Sequence, residues 1–249
     1  MKVKAFITHK QSECYADCQD RFYINKDNRR VAVSDGMSQS IFSDYWANLL
    51  ASHYANNGHC TDDDRKGLCS QWLQYVETYR DEQIKKGHNP WKLNNFLAEH
   101  KGAGATICGI EFKNATDWTG HVLGDSCIIR VNTQGMNIEI LSSEEKPFDY
   151  FPDFYDSYPE KEGRGTIKEV SGSISPNDIL LLVTDPFSEF LDRHKKDCRE
   201  FVRQMLSIEN HSDFCTLVND WRAKGMHNDD STLCIIKFDN EPEFRNTII

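Results

Sequence analysis

Apolar positions at the start of the chain fall in short runs, KVKAFIT, DRFYINK and RRVAVSD, and this pattern predicts strands. From Ser43 the spacing changes. Trp46, Leu49, Leu50 and His53-Tyr54 recur three and four residues apart, which predicts an amphipathic helix. A second helix is predicted from about Gly67 to Lys86, with Leu68, Trp72, Leu73, Val76 and Tyr79 on one face. NPWKLNNFLAEHKG predicts a third, shorter helix ending near Gly102. The TDDD stretch at 61–64 falls in the connection before the second helix, and its three adjacent carboxylates read as a solvated loop rather than as a metal site.

Strand patterns return with GATICGIEF, GHVLGDSCIIRVN and MNIEILS. Gly124-Asp125-Ser126 interrupts the second of these as a hairpin turn would. Residues 142–173, which include FDYFPDFYDSY, have no clear period and read as an irregular, flap-like excursion whose aromatics either cap the core or dock a partner. DILLLVTD is a buried strand ending in Asp185, residues 187–224 read as helices, and DDSTLCIIKF, from Asp229, is the closing strand. No shift in composition divides the chain. The expectation is one domain over residues 1–249, of the α+β class: a four-layer α-β-β-α sandwich of two stacked antiparallel sheets flanked by helices.

Composition narrows the chemistry. With 39% hydrophobic and 27% charged residues in 249, the chain has material for a sizeable core. A formal charge of −10 argues against sequence-independent binding of nucleic acid, which needs a basic surface. No run reaches the roughly 18 apolar residues of a membrane span, and the first residues lack the pattern of a signal peptide. The nine cysteines are scattered through apolar runs and suit reduced, buried thiols in a cytoplasmic protein. Cys14-x3-Cys18 and Cys60-x8-Cys69 lack the paired short spacings of a zinc site.

The aspartates carry more information. Asp35 and Asp185 each follow the C-terminal end of a predicted strand, whereas Asp229 and Asp20 precede one. Neighbouring antiparallel strands bring opposite ends together, so these residues, with Asp125 at its turn, can meet at one sheet edge. Carboxylates in contact repel unless protonated or bridged by a cation. An oxygen-only donor set favours Mg2+ or Mn2+, and two such ions sharing a carboxylate can activate a bridging water for in-line attack on phosphorus. Aspartate is also a common turn former, so spacing alone leaves both readings open.

At these residues the chain resembles the metal-dependent type 2C protein phosphatases, in bacterial form. CQDRF resembles the first acidic motif, VAVSDGMSQS the Asp-Gly motif, and GAGATICGIEF the small-residue strand in mid-chain. HVLGDSCIIRV resembles the Gly-Asp-Ser motif, LLLVTDPFSEFL the Thr-Asp motif and NDDSTLCIIKF the closing acidic-pair strand, all in family order over nearly the whole chain. The resemblance implies hydrolysis of phosphoserine and phosphothreonine without a covalent intermediate, in a signalling context. Asp35 would touch both core metals and the Gly36 carbonyl one of them; Asp185 and Asp229 would hold the other. Asp20 would act directly or through water, and Asp125 would serve a weaker third ion. The catalytic set implied is Asp35, Asp185 and Asp229; the partners implied are a phosphoprotein substrate and a cognate serine/threonine kinase, with no nucleic acid and no membrane.

Substrate handling departs from the pattern. Tyr15 stands where many members place a phosphate-binding arginine, and His9 and Lys10 are near enough to substitute or to have only a surface role. Met37 follows Asp-Gly where some members have a histidine, Ser38 replaces a glycine, and Pro186 follows Thr-Asp in place of glycine, fixing φ near −65°. GAGATICG lacks the Gly-Lys-Ser/Thr ending of a phosphate loop and reads as close packing; no G-x-S-x-G elbow supports a serine hydrolase. Two functions follow: an active phosphatase, or a catalytically weak relative that binds a phosphoprotein or kinase as a regulatory module.

Overall fold

Runs buried on one face and runs buried on both produce two sheets in the computed structural model, which describes residues 1–134, 137–143, 152–161, 163–195, 198–238 and 245–248. One sheet holds β1 (Lys2–Thr8), β7 (Cys127–Asn132), β8 (Asn137–Leu141), β11 (Asp178–Val183), β12 (Ser231–Lys237) and β13 (Arg245–Ile248), in the order β13-β1-β12-β11-β7-β8. The other holds β2 (Arg21–Asn25), β3 (Arg30–Ser34), β5 (Ile107–Phe112), β6 (Asp117–Leu123) and β10 (Lys168–Ser173), in the order β10-β6-β5-β3-β2. A small third pairing joins β4 (Gly104–Ala105) to β9 (Tyr155–Asp156).

DILLLV is apolar throughout because both faces of β11 are covered. Leu180 and Leu182 point between the sheets with Val3, Val31, Val33, Cys108 and Ile236. Leu181 and Val183 point outward with Phe187, Phe190, Phe214 and Trp221, from α4 (Asp185–Arg193) and α6 (His211–Ala223). α5 (Cys198–Ser207) lies on the same side. The other sheet is covered by α1 (Ser43–Asn57) and α2 (Asp62–Lys85) through Trp46, Leu50, Tyr54 and Trp72 against Ala32 and Ile107. α3 (Trp91–Ala98) packs at its edge with Leu93 and Leu97. The four-layer α-β-β-α order expected from the sequence is therefore present. The small residues of GAGATICG serve packing: a Cβ on Gly109 would collide with the Tyr54 ring of α1.

Several local expectations are corrected. α2 begins at Asp62, so TDDD is a helix start: Thr61 Oγ1 accepts the Asp64 N–H while the Asp64 side chain accepts the Thr61 N–H, a capping box. Gly124-Asp125-Ser126 is no hairpin turn, because β6 and β7 belong to different sheets and these residues cross the sandwich. The 142–173 stretch is more regular than its composition implies, with β9 paired to β4 and β10 paired along β6 from Lys168↔Val122 to Ser173↔Asp117. Residues 144–151 of that stretch, with the aromatics Phe148, Tyr150 and Phe151, lie outside the described residues. Asp185 lies beyond its strand: β11 stops at Val183, Thr184 is the N-cap and Asp185 opens α4. Pro186 fits there because the first turn has no intrahelical partner for its missing N–H. β12 is not the last strand; β13 follows and pairs parallel to β1.

Candidate metal centre

β3 delivers Asp35 to the sheet edge, and the chain beyond is held against the β4–β5 break. The Asp35 N–H donates to Thr106 Oγ1 at 3.1 Å, and Asp35 O accepts the Thr106 N–H at 2.9 Å. Gly36 then bridges Ala105. A Cβ on Gly36 would lie 2.7 Å from Ser43 O and 2.9 Å from Gln19 O, so only glycine fits. The Gly36 backbone is thus pressed between the start of α1 and the residue before Asp20.

Asp20 is fully buried just ahead of β2. Its Oδ2 accepts Thr184 Oγ1 at 2.9 Å and Thr232 Oγ1 at 2.7 Å, tying β2 to the ends of β11 and β12 in the opposite sheet. Its Oδ1 is buried with no hydrogen-bond partner among the described residues. An ionised oxygen in that position is costly unless a cation faces it. Burial first, then the Asp230 and Asp185 charges, push the Asp20 carboxyl well above the ordinary range, against the two threonine hydroxyls.

Asp35 responds to the same ring. Burial raises its pKa well above the usual carboxylate value, followed by the charges of Asp20, Asp185, Asp125 and Asp229. Five segments thus bring carboxylates within electrostatic reach of one another. Burial and then the Asp229 charge also raise the Asp185 carboxyl, while His227 and a hydrogen bond with Asp35 oppose them. Asp35, Asp125, Asp185 and Asp229 line a cavity of about 670 Å³. They do not close into a single compact cage: among the described residues, the trio of ligand atoms lying within 4.8 Å of one another belongs to His53, His59 and Asp64 elsewhere. The donor set is rich in hard oxygens, includes an orphaned buried carboxylate oxygen, and so suits divalent cations spread along a ring.

Three residues of this cavity escape the sequence reading. His227, two residues before Asp229, places Nδ1 3.9 Å from Asp185 Oδ2, an ion-pair distance beyond hydrogen bonding. Its pKa is raised chiefly by Asp185, against partial burial. Glu189 and Arg193 also line the cavity. They follow Asp185 at four-residue intervals on α4, a helical spacing that puts all three on one face. That spacing was available as a signal. Asp230, by contrast, works through the backbone. It is buried and accepts the N–H groups of Lys10 at 3.0 Å and Gln19 at 2.6 Å, pinning the 9–19 segment to the start of β12.

Lys10 stands beside the ring. Its Nζ lies 3.0 Å from Ser38 Oγ and 3.3 Å from Asp229 Oδ1, and it lines a smaller cavity with Glu13, Asp17, Gln19 and Ser38. Burial alone would lower its pKa; Asp229, with Asp230 and Glu13, outweighs this and holds it above the usual lysine value. His9 lines neither cavity: its ring packs edge-on against Tyr15 at 4.7 Å and its Nδ1 meets Lys10 O at 2.9 Å. Tyr15 is half exposed, with its hydroxyl 2.9 Å from His211 Nε2.

No family model matches this chain, and no curated protein matches it. Solved structures do. The serine/threonine phosphatase Stp1 from Staphylococcus aureus aligns over 95% of this chain and 94% of its own, at TM-score 0.61 and 14% identity. The S. agalactiae serine/threonine phosphatase aligns over 95% and 99%, at TM-score 0.59 and 14% identity. PppA, a regulatory component of the type VI secretion system in Pseudomonas aeruginosa, aligns over 94% and 96%, at TM-score 0.56 and 16% identity. The fold is that of the bacterial type 2C serine/threonine phosphatases, in keeping with the resemblance carried by the motifs.

Proposed function

We propose that this chain is a Mg2+- or Mn2+-dependent phosphatase acting on phosphoserine and phosphothreonine in proteins. The observation that carries this reading is the convergence of Asp35, Asp125, Asp185 and Asp229 around one cavity, with Asp20 in electrostatic reach of Asp35 behind them and its Oδ1 buried and unpartnered among the described residues. In this reading Asp35 and the Gly36 carbonyl, with Asp185 and Asp229, hold two core ions. Asp20 supports them directly or through water, and Asp125 serves an outer ion. Bound there, the ions supply Lewis-acid activation of water and of the phosphate oxygens, which hydrolysis of a phosphomonoester requires.

The protein's own side chains do the rest. Thr184 and Thr232 hold Asp20 in one orientation, and Thr106 holds the Asp35 backbone. Lys10 is the stronger candidate of the two N-terminal residues for the substrate phosphate, because its ammonium borders the ring through Ser38 and Asp229 and His9 does not. Arg193 offers a second cation at the larger cavity, where a guanidinium can meet a phosphate in a bidentate fork. The substrate implied is a phosphoprotein, and its maker a serine/threonine kinase.

A second reading is favoured by the Lys10–Asp229 ion pair at 3.3 Å, in which an ammonium supplies part of the neutralising charge. In that reading the chain binds a phosphorylated partner and turns over slowly. Hydrolysis of a small aryl phosphate by the chelator-treated chain decides between them, since it needs no knowledge of the natural substrate. Turnover is expected only with Mn2+ or Mg2+ added, and Asp35→Asn is expected to lose nearly all of it. Metal-independent turnover, or wild-type turnover in Asp35→Asn, would overturn the two-ion assignment.

A further inference from the structure

Away from the aspartate ring, two histidines converge on one carboxylate where α1 ends and α2 begins. His53 Nε2 lies 3.3 Å from Asp64 Oδ1, and His59 Nδ1 lies 2.7 Å from Asp64 Oδ2. The rings are 6.0 Å apart between centroids, and one ligand atom from each of the three residues falls within 4.8 Å of the others. His53 sits in the last turns of α1, His59 just beyond its Gly58 cap, and Asp64 in the first turn of α2. The Asp64 carboxylate is oriented from behind. Its Oδ2 accepts the Thr61 N–H and hydroxyl, both at 2.8 Å, which leaves Oδ1 facing His53.

We propose that His53, His59 and Asp64 form a second metal site, separate from the aspartate ring and selective for a nitrogen-preferring divalent ion, Zn2+ foremost. Two imidazoles and one carboxylate with a fourth position left to water is an established donor set for Zn2+. The aspartate ring offers oxygens and suits Mg2+ or Mn2+, so the two sites sort ions by chemistry. The simpler alternative is a helix cap with two hydrogen-bonded histidines. The cap, however, is complete with Thr61 and Asp64 between them, and it does not require imidazoles on both oxygens of the carboxylate.

The positive end of α2 opposes a cation, but Asp62 and Asp63 in the same turn offset it. Nearby His121 stays outside the set, since its Nδ1 meets the Cys60 N–H at 3.4 Å. Cys60 is buried, and burial pushes its thiol far up, so it is no ready ligand. An ion here would clamp the end of α1 to the start of α2 across residues 58–61.

The site stands or falls independently of the phosphatase reading. The test is calorimetric titration of the chelator-stripped full chain with Zn2+ in millimolar Mg2+, which occupies oxygen-rich sites. One Zn2+ per chain is expected, retained in Asp35→Asn and weakened at least tenfold in both His59→Ala and His53→Gln. Loss of a supporting partner alone costs that much at metal sites. Co2+ in place of Zn2+ should give visible absorption bands that both substitutions remove. His59 is exposed, so melting in chelator is expected to be unchanged in His59→Ala, separating ligand loss from misfolding. Absence of Zn2+ binding in Mg2+, or equal isotherms for wild type and both histidine variants, would overturn the site.

Discussion

Gly36 sets how closely Asp35 can be held, because backbone oxygens of Ser43 and Gln19 occupy the space a side chain would need. Neither neighbour can retreat easily: Ser43 begins α1, and the Gln19 N–H is fixed to Asp230. Gly36→Ala is therefore expected to destabilise the fold by about 1–3 kcal/mol, the usual cost of overpacking, and to displace the Asp35 carboxylate. Urea unfolding and aryl phosphate turnover measure the two effects, and wild-type values for both would refute the close fit. Asp35 itself was legible in the sequence because it ends an apolar run beside a glycine. The need for that glycine was not, since Ser43 and Gln19 approach it from other parts of the chain.

At the scale of one element, β11 is anchored by its first residue. Asp178 accepts Arg130 Nη2 and Asn132 Nδ2, each at 2.9 Å, from the neighbouring strand β7, and the Ser175 N–H at 3.0 Å from its own turn. Burial works to raise this carboxyl, but those hydrogen bonds outweigh it and hold the pKa at about 2, below the ordinary 3.8. The folded state therefore binds fewer protons than the unfolded chain between these values. The stabilisation is complete above pH 3.8 and is lost as pH falls through about 2. Asp178→Asn keeps an acceptor but loses the charge. At neutral pH it is expected to cost the low end of the ~1.5–3 kcal/mol typical of hydrogen bonds to charged groups, since Arg130 is partly exposed. Denaturant melts across the acid range should show wild type falling towards the variant; a gap independent of pH would disprove the charge assignment. The strand was plain from its apolar run, whereas its anchor depends on a cross-strand neighbour.

Over the whole molecule, the aspartate ring predicts a linkage between ion binding and stability. Repulsion among buried carboxylates weakens the ion-free fold, and an ion that binds only the folded state removes it. A hundredfold excess over the dissociation constant stabilises by about 2.7 kcal/mol. At ~2–4 °C per kcal/mol for a domain of this size, melting is expected to rise by roughly 5–11 °C with Mn2+. Asp35→Asn should show much less of this shift. Identical melting curves in chelator and in millimolar Mn2+ would count against both ion-binding roles of the ring and favour the partner-binding reading.

The chain alone determined its alternation of strand and helix, the burial of DILLLV, and the placing of Asp35 after one strand and of Asp20 and Asp229 ahead of others, because these follow from local periodicity and from residues that stop it. Tertiary structure decided what periodicity does not encode. Two apolar strands joined by Gly-Asp-Ser read the same whether they pair with each other or enter different sheets, so the crossing from β6 to β7 has the pattern of a hairpin, and β10 is hidden in a stretch without period. The boundary at Asp185 shifted because a helix N-terminus and a strand end both accept an aspartate after threonine. His227 and Arg193 at the cavity, Asp230 on the 9–19 segment, and the meeting of His53, His59 and Asp64 all depend on distances between separate elements. Only packing sets those distances, and with them the chemistry each side chain can perform.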